Sequence, residues 1–184
     1  MKRLLPLLCL LLLASCNLPR PASVPPTDTV TPSAAPVTEI PAAASQPCYY
    51  VWASQGLPEI SAELQTALQA ILPEATARAA AFGEDCVAQD GSSTFGAMET
   101  DFYLTIPVAD LQDNEALGAA IERVLAVVDG FLRPRVPGPN DGFVEFTFTS
   151  ASDQRVLRVP IPLGKELRGK GLRGAALLEA LEAK

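Results

Sequence analysis

The patterning of this 184-residue chain predicts an α+β fold with one disulfide: an antiparallel sheet of about four strands, with helices packed on one face as a two-layer sandwich. Three observations carry that expectation. Two segments repeat apolar residues at spacings of three and four, the signature of amphipathic helices. Other segments alternate apolar and polar residues, the signature of half-buried strands. The strands fall in pairs on either side of a helix, an arrangement that favours hairpins joined into one sheet.

The patterned region begins at Cys48. Tyr49 to Ala53 forms a short apolar run that can add a further strand. Pro58 suits the first turn of a helix, and Leu57, Ile60, Leu64, Ala67, Leu68, Ile71 and Leu72 form one stripe ending near Pro73. The segment from Ala75 to Phe82 is rich in alanine, which favours helix. Pro73 before it, Gly83 after it, and the alternation of Thr76 with Arg78 make it a strand. From Asp101 to Val108 the residues Phe102, Leu104, Ile106 and Val108 share a face.

A second helix follows. Asp113 is placed to cap it, Leu117, Ile121, Val124, Leu125, Val128, Phe131 and Leu132 line one side, and Pro134 stops it. Phe143 to Thr149 and Gln154 to Ile161 alternate around a Ser152-Asp153 turn and read as a hairpin. A short helix around Arg173 to Ala183 closes the chain.

The N-terminal region has a different character. Lys2 and Arg3 precede an apolar run from Leu4 to Ala14, then Ser15 and Cys16. A basic start, a short apolar core and a small residue before the cut are the parts of a secretory signal. The run falls short of the ~20 residues that a membrane-spanning helix needs. Leu13-Ala14-Ser15-Cys16 resembles the lipobox of bacterial lipoproteins, with Leu three before the cysteine and small residues between.

The resemblance implies cleavage after residue 15 and lipid attachment at Cys16, which becomes the first residue of the mature chain. More than one acyl chain is carried there in that family, and two or more hold firmly to a bilayer. An Asp after the cysteine retains such proteins in the inner membrane of enteric-type bacteria; Asn17 stands here, which points to the outer membrane or cell surface. Residues 16–47 are then the lipidated cysteine and a tether. Eight of the chain's seventeen prolines lie between Asn17 and Pro47, among Ala, Ser, Thr and Val, with no apolar periodicity. Such a segment buries too little surface to offset the entropy of ordering it, and reads as disordered.

Residues 48–184 are expected to form a single α+β domain. They carry eleven Lys and Arg against nineteen Asp and Glu, a net of −8. That sign argues against nucleic acid or an anionic lipid surface as a partner of the domain. Cys48 and Cys86, the two cysteines beyond the lipobox, are expected to pair, since exported domains hold cysteines as disulfides.

No histidine occurs in the chain. Ser-His-Asp and Cys-His nucleophilic machinery, and His-ligated metal sites, are therefore excluded. The carboxylates Glu84, Asp85, Asp90, Glu99 and Asp101 are the best remaining group. If the flanking strands pair, four of them gather near the loop end of that hairpin. Oxygen clusters hold Ca²⁺ and carboxylate pairs cleave glycosides. Their spacing matches no calcium loop, however, and Asp90-Gly91 is an ordinary turn signal.

Gly164 to Lys170 satisfies GxxxxGK, but Gly171 stands where a phosphate-binding loop needs Ser or Thr, and the stretch reads as a basic connection into the last helix. Tyr49, Tyr50 and Trp52 read first as packing against the neighbouring disulfide, second as an aromatic binding face. The function expected is that of a membrane-anchored extracytoplasmic lipoprotein whose domain binds an envelope protein or other extracytoplasmic ligand, without cofactor. The rival is a hydrolase using the loop carboxylates, with or without Ca²⁺.

Overall fold

The computed structural model describes residues 47–183. The lipobox, Cys16 and the proline-rich segment up to residue 46 lie outside the described residues. The elements run β1 (Cys48–Gly56), α1 (Pro58–Gln69), β2 (Thr76–Ala88), β3 (Ser93–Pro107), α2 (Asn114–Val128), a 3₁₀ turn (Asp129–Phe131), β4 (Asn140–Thr149), β5 (Gln154–Pro160), α3 (Ile161–Gly169) and α4 (Gly174–Glu182). The class is α+β, with five strands in the order β1-β2-β3-β4-β5.

The sheet is mixed, which corrects the expectation of about four purely antiparallel strands. β1, β2 and β3 form an antiparallel meander, and β4 and β5 form the hairpin read from their alternation. β3 and β4 are parallel. The thirty-two residues between Pro107 and Asn140 include α2, and a crossover of that kind is how a chain returns to lay a parallel neighbour. Tyr49 to Ala53 does belong to a strand, the fifth, at one edge of the sheet. The Ala75 to Phe82 segment is likewise extended, and its strand continues to Ala88.

Strand alternation sorts the sheet into two faces. Phe102, Leu104 and Ile106 of β3 and Val144, Phe146 and Phe148 of β4 are buried, together with Val159 of β5. They join Leu64 and Leu68 of α1, Ile121, Val124 and Leu125 of α2, and Leu177, Leu178 and Leu181 of α4 in one core. The helical stripes predicted from spacing therefore face the strand stripes predicted from alternation. Asp113 caps α2 as expected, its carboxylate accepting the Ala116 N–H at 2.9 Å. The disulfide Cys48–Cys86 joins the start of β1 to β2, with Cα atoms 5.4 Å apart.

Candidate ligand-binding face

The side chains that alternate with the core project from the opposite face of the sheet. Register sets one row of them across four strands. Arg78 lies opposite Tyr103, Tyr103 opposite Glu145, and Glu145 opposite Arg158. Contacts bind this row to its neighbours. The Arg78 guanidinium sits over the Tyr103 ring at 3.7 Å, Tyr103 meets Phe143 edge-on at 5.6 Å, and Arg158 covers Phe143 at 4.2 Å. Arg158 also donates to Glu145 at 2.7 Å, and this bond, its largest influence, raises its pKa further above the ordinary value. Each guanidinium thus rests on a ring whose face attracts cations.

Asp101 lies at a break in this pattern. The parallel ladder between β3 and β4 slips between Thr100 and Phe102, so one residue of β3 lacks a regular backbone partner there. The Asp101 carboxylate fills the gap by accepting the Phe143 N–H at 3.1 Å. Gly142 makes room for it, because a Cβ at that position would stand 2.3 Å from Asp101 Oδ1. Asp101 is only 3% exposed. Burial pushes its pKa up, the Phe143 N–H opposes that, and Glu99 adds to the rise. Burial likewise raises the Tyr103 hydroxyl, with Asp101 adding and Arg78 opposing.

Two depressions open on this face. One, of about 350 Å³, is lined by Phe82, Glu99, Asp101, Tyr103, Phe143 and Arg158. The other, of about 280 Å³, is lined by Thr76, Arg78, Tyr103, Thr105, Glu145 and Thr147 among others. Tyr103 is the wall between them.

The acidic residues named from sequence do not all meet. β2 and β3 continue further than expected, to a turn at residues 89–92, so Glu99 and Asp101 pair with Phe82 and Ala80 in mid-sheet rather than at the loop end. Glu84 and Asp85 lie opposite Gly96 and Phe95, and as neighbours on one strand they point to opposite faces. Asp90 is in the turn, where it accepts the Ser92 N–H at 2.9 Å and the Ser92 hydroxyl at 2.6 Å; these bonds lower its pKa. Among the described residues no group of three His, Cys, Asp or Glu side chains is placed to hold a metal ion.

Two further expectations are corrected. The GxxxxGK stretch is neither a phosphate loop nor an irregular connection. Gly164 to Gly169 lies within α3, whose turns consume the backbone N–H groups that would cradle phosphate, and Lys170 donates to Glu166. The sequence signal for this was the i, i+3, i+6 spacing of Ile161, Gly164 and Leu167, all buried on one side of the helix. The aromatic residues beside Cys48 are not packed under the core edge. Tyr49, Tyr50 and Trp52 are 62%, 67% and 65% exposed. β1 is an edge strand, and its register with β2 sets Tyr50 and Trp52 on the face turned away from the helices, so these rings stand in solvent. Trp52 stacks on Phe82 at 5.4 Å, which continues the aromatic face to the sheet edge.

Sequence reasoning missed Arg78, Tyr103, Phe143, Glu145 and Arg158 as a group. Each was legible as the polar or outward side of an alternating strand, but only the register brings the four strands' residues into one row. No protein-family model matches the chain, and no curated protein or solved structure matches it.

Proposed function

We propose that this chain is a lipid-anchored binding protein of the cell envelope, held to the extracytoplasmic side of a membrane through Cys16. Its α+β domain binds an envelope protein or another extracytoplasmic ligand on the sheet face opposite the core. The observation that carries this reading is the cross-strand row Arg78–Tyr103–Glu145–Arg158 with its rings and depressions. Aromatic and arginine side chains are the residues that dominate recognition surfaces. They sit here on strands, which hold them more rigidly than loops would. The N-terminal resemblance to lipoproteins supports the anchor, and the acidic balance of the domain favours a partner other than nucleic acid.

In-membrane chemical cross-linking of the full chain, followed by purification and mass spectrometry, tests it. One envelope protein is expected in the adduct. The adduct should be lost when Arg78 and Tyr103 are both replaced by Ala, and a Cys16→Ser chain should incorporate no labelled fatty acid and yield no adduct. Adducts indifferent to the Arg78 and Tyr103 changes would place the binding surface elsewhere.

One observation favours a second reading, an extracytoplasmic hydrolase. Glu99 and Asp101 line the same depression, and Asp101 has the raised pKa of a general acid. Against it, Asp101 is already committed to the Phe143 N–H in holding the strand slip. Hydrolysis of a glycan by the full chain, abolished by both Glu99→Gln and Asp101→Asn, would establish this reading over the first.

A further inference from the structure

Asp101 gives one oxygen to the fold and keeps the other. Oδ1 accepts the Phe143 N–H at 3.1 Å. Oδ2 accepts no hydrogen bond among the described residues. Asp101 is almost wholly buried, yet among the described residues every sealed side-chain oxygen or nitrogen has a partner. Oδ2 therefore opens into the depression of about 350 Å³ that Asp101 lines. Glu99 lines it too, and its carboxylate has no ion pair or hydrogen bond among the described residues. A carboxylate oxygen shut among side chains without a donor is costly, so the depression is set to receive a donor.

We propose that this depression receives the primary ammonium of a lysine side chain, bonded to Asp101 Oδ2 and to Glu99 between the rings of Phe82, Tyr103 and Phe143. The lysine belongs to the partner protein, so the assignment rests on the reading that this sheet face binds one. Position and sign of charge select a cation. Arg158, the cation on the same lining, already donates to Glu145 at 2.7 and 3.3 Å. At Asp101 the repulsion of Glu99 outweighs the attraction of Arg158. The two carboxylates are thus left without a cation of their own, in a domain whose net charge of −8 draws cations toward it.

Donor geometry selects the ammonium among cations. A guanidinium fork matches both oxygens of a carboxylate, and Asp101 offers one. An ammonium is compact and divides its donors among Oδ2, Glu99 and water. A quaternary ammonium has no donor for Oδ2. Sugar hydroxyls donate but carry no charge to set against the two carboxylates. Those carboxylates alone fall short of the roughly six to eight oxygens that Ca²⁺ takes. The apolar stem of lysine packs along the rings while its head stays polar.

The test is an amide chemical-shift titration of the full chain, held in uncharged maltoside micelles, with Nα-acetyl-lysine methylamide. Its norleucine and arginine counterparts are the neutral and guanidinium controls. The lysine probe should saturate shifts at Asp101, Tyr103 and Phe143, and bind about tenfold or more tighter than either control. Glu99→Gln should weaken it about tenfold, as should Asp101→Asn; should the latter lose its fold by circular dichroism, Glu99→Gln decides. Equal binding of the lysine and norleucine probes, preference for the arginine probe, unchanged affinity in Glu99→Gln, shifts centred elsewhere, or no saturation would each overturn the proposal. Its failure is distinct from failure of the binding reading. An adduct lost on changing Arg78 and Tyr103, beside a lysine probe that does not bind, overturns the lysine assignment alone. A probe that binds where no adduct forms supports the ammonium site and removes a partner protein as its source.

Discussion

Asp101 shows how one residue carries both structure and sensitivity to conditions. It was legible in the sequence as an acidic residue at the start of an alternating run, but the slip that buries it depends on pairing with a strand some forty positions later, which no local pattern encodes. Its carboxyl titrates above the ordinary 3.8, chiefly through burial. A carboxyl raised on folding contributes stability that is fully present below its unfolded pKa and is lost as pH rises through the folded value. Asp101→Asn keeps an oxygen for the Phe143 N–H and removes that titration. The variant should therefore gain stability relative to the parent as pH rises from about 3 to 7, with urea midpoints at the two ends as the measurement. A relative gain by the parent over that window would mean that the Phe143 N–H, with Arg158, outweighs burial at the site.

Helix α2 shows what an element's own sequence settles and what it leaves to its neighbours. Its start was readable from Asp113 and its buried side from spacing, but the helix ends at Val128 and gives way to a 3₁₀ turn over Asp129–Phe131, short of the stop expected at Pro134. Replacing Asp113 by Ala removes the bond to the Ala116 N–H and should cost about 1 kcal/mol in chemical denaturation. What spacing could not show is why Gly118 stands in mid-helix, where glycine is unfavourable. α2 crosses α4 there so closely that a Cβ on Gly118 would lie 1.9 Å from the Gly174 carbonyl oxygen. The crossing also lets Glu115 accept the Ala175 N–H at 2.8 Å, capping α4 from a neighbouring helix. Gly118→Ala should destabilise by about 1–3 kcal/mol through overpacking, despite alanine's better helix propensity. A stabilised variant in thermal melts would show that the two helices can part at no cost. The same dependence on neighbours explains α3: a motif match suggested a loop, while burial of Gly164 against Leu125 and Val159 made it a packed helical turn.

At the scale of the whole molecule, the layers were foreseeable because apolar stripes on helices and strands must bury one another. The parallel junction of β3 and β4 was not, because hairpin patterns specify neighbours within each pair and leave the pairs' mutual order open. The disulfide acts at this scale as well. Closing the chain from Cys48 to Cys86, a separation of 38 residues, restricts the unfolded ensemble and should stabilise the fold by about 4 kcal/mol. That is a large share of the roughly 5–15 kcal/mol by which a domain is stable. Its loss should not be felt evenly. β1 is an edge strand with outward rings, joined to the rest through β2, whereas β3 and β4 lie at the centre of the core. In a Cys48→Ser, Cys86→Ser chain the cooperative unfolding midpoint should fall, and amide exchange in β1 should accelerate before that of β3 and β4. Equal acceleration throughout the sheet would mean that β1 unfolds only with the whole domain, and that the disulfide secures the fold rather than the edge strand.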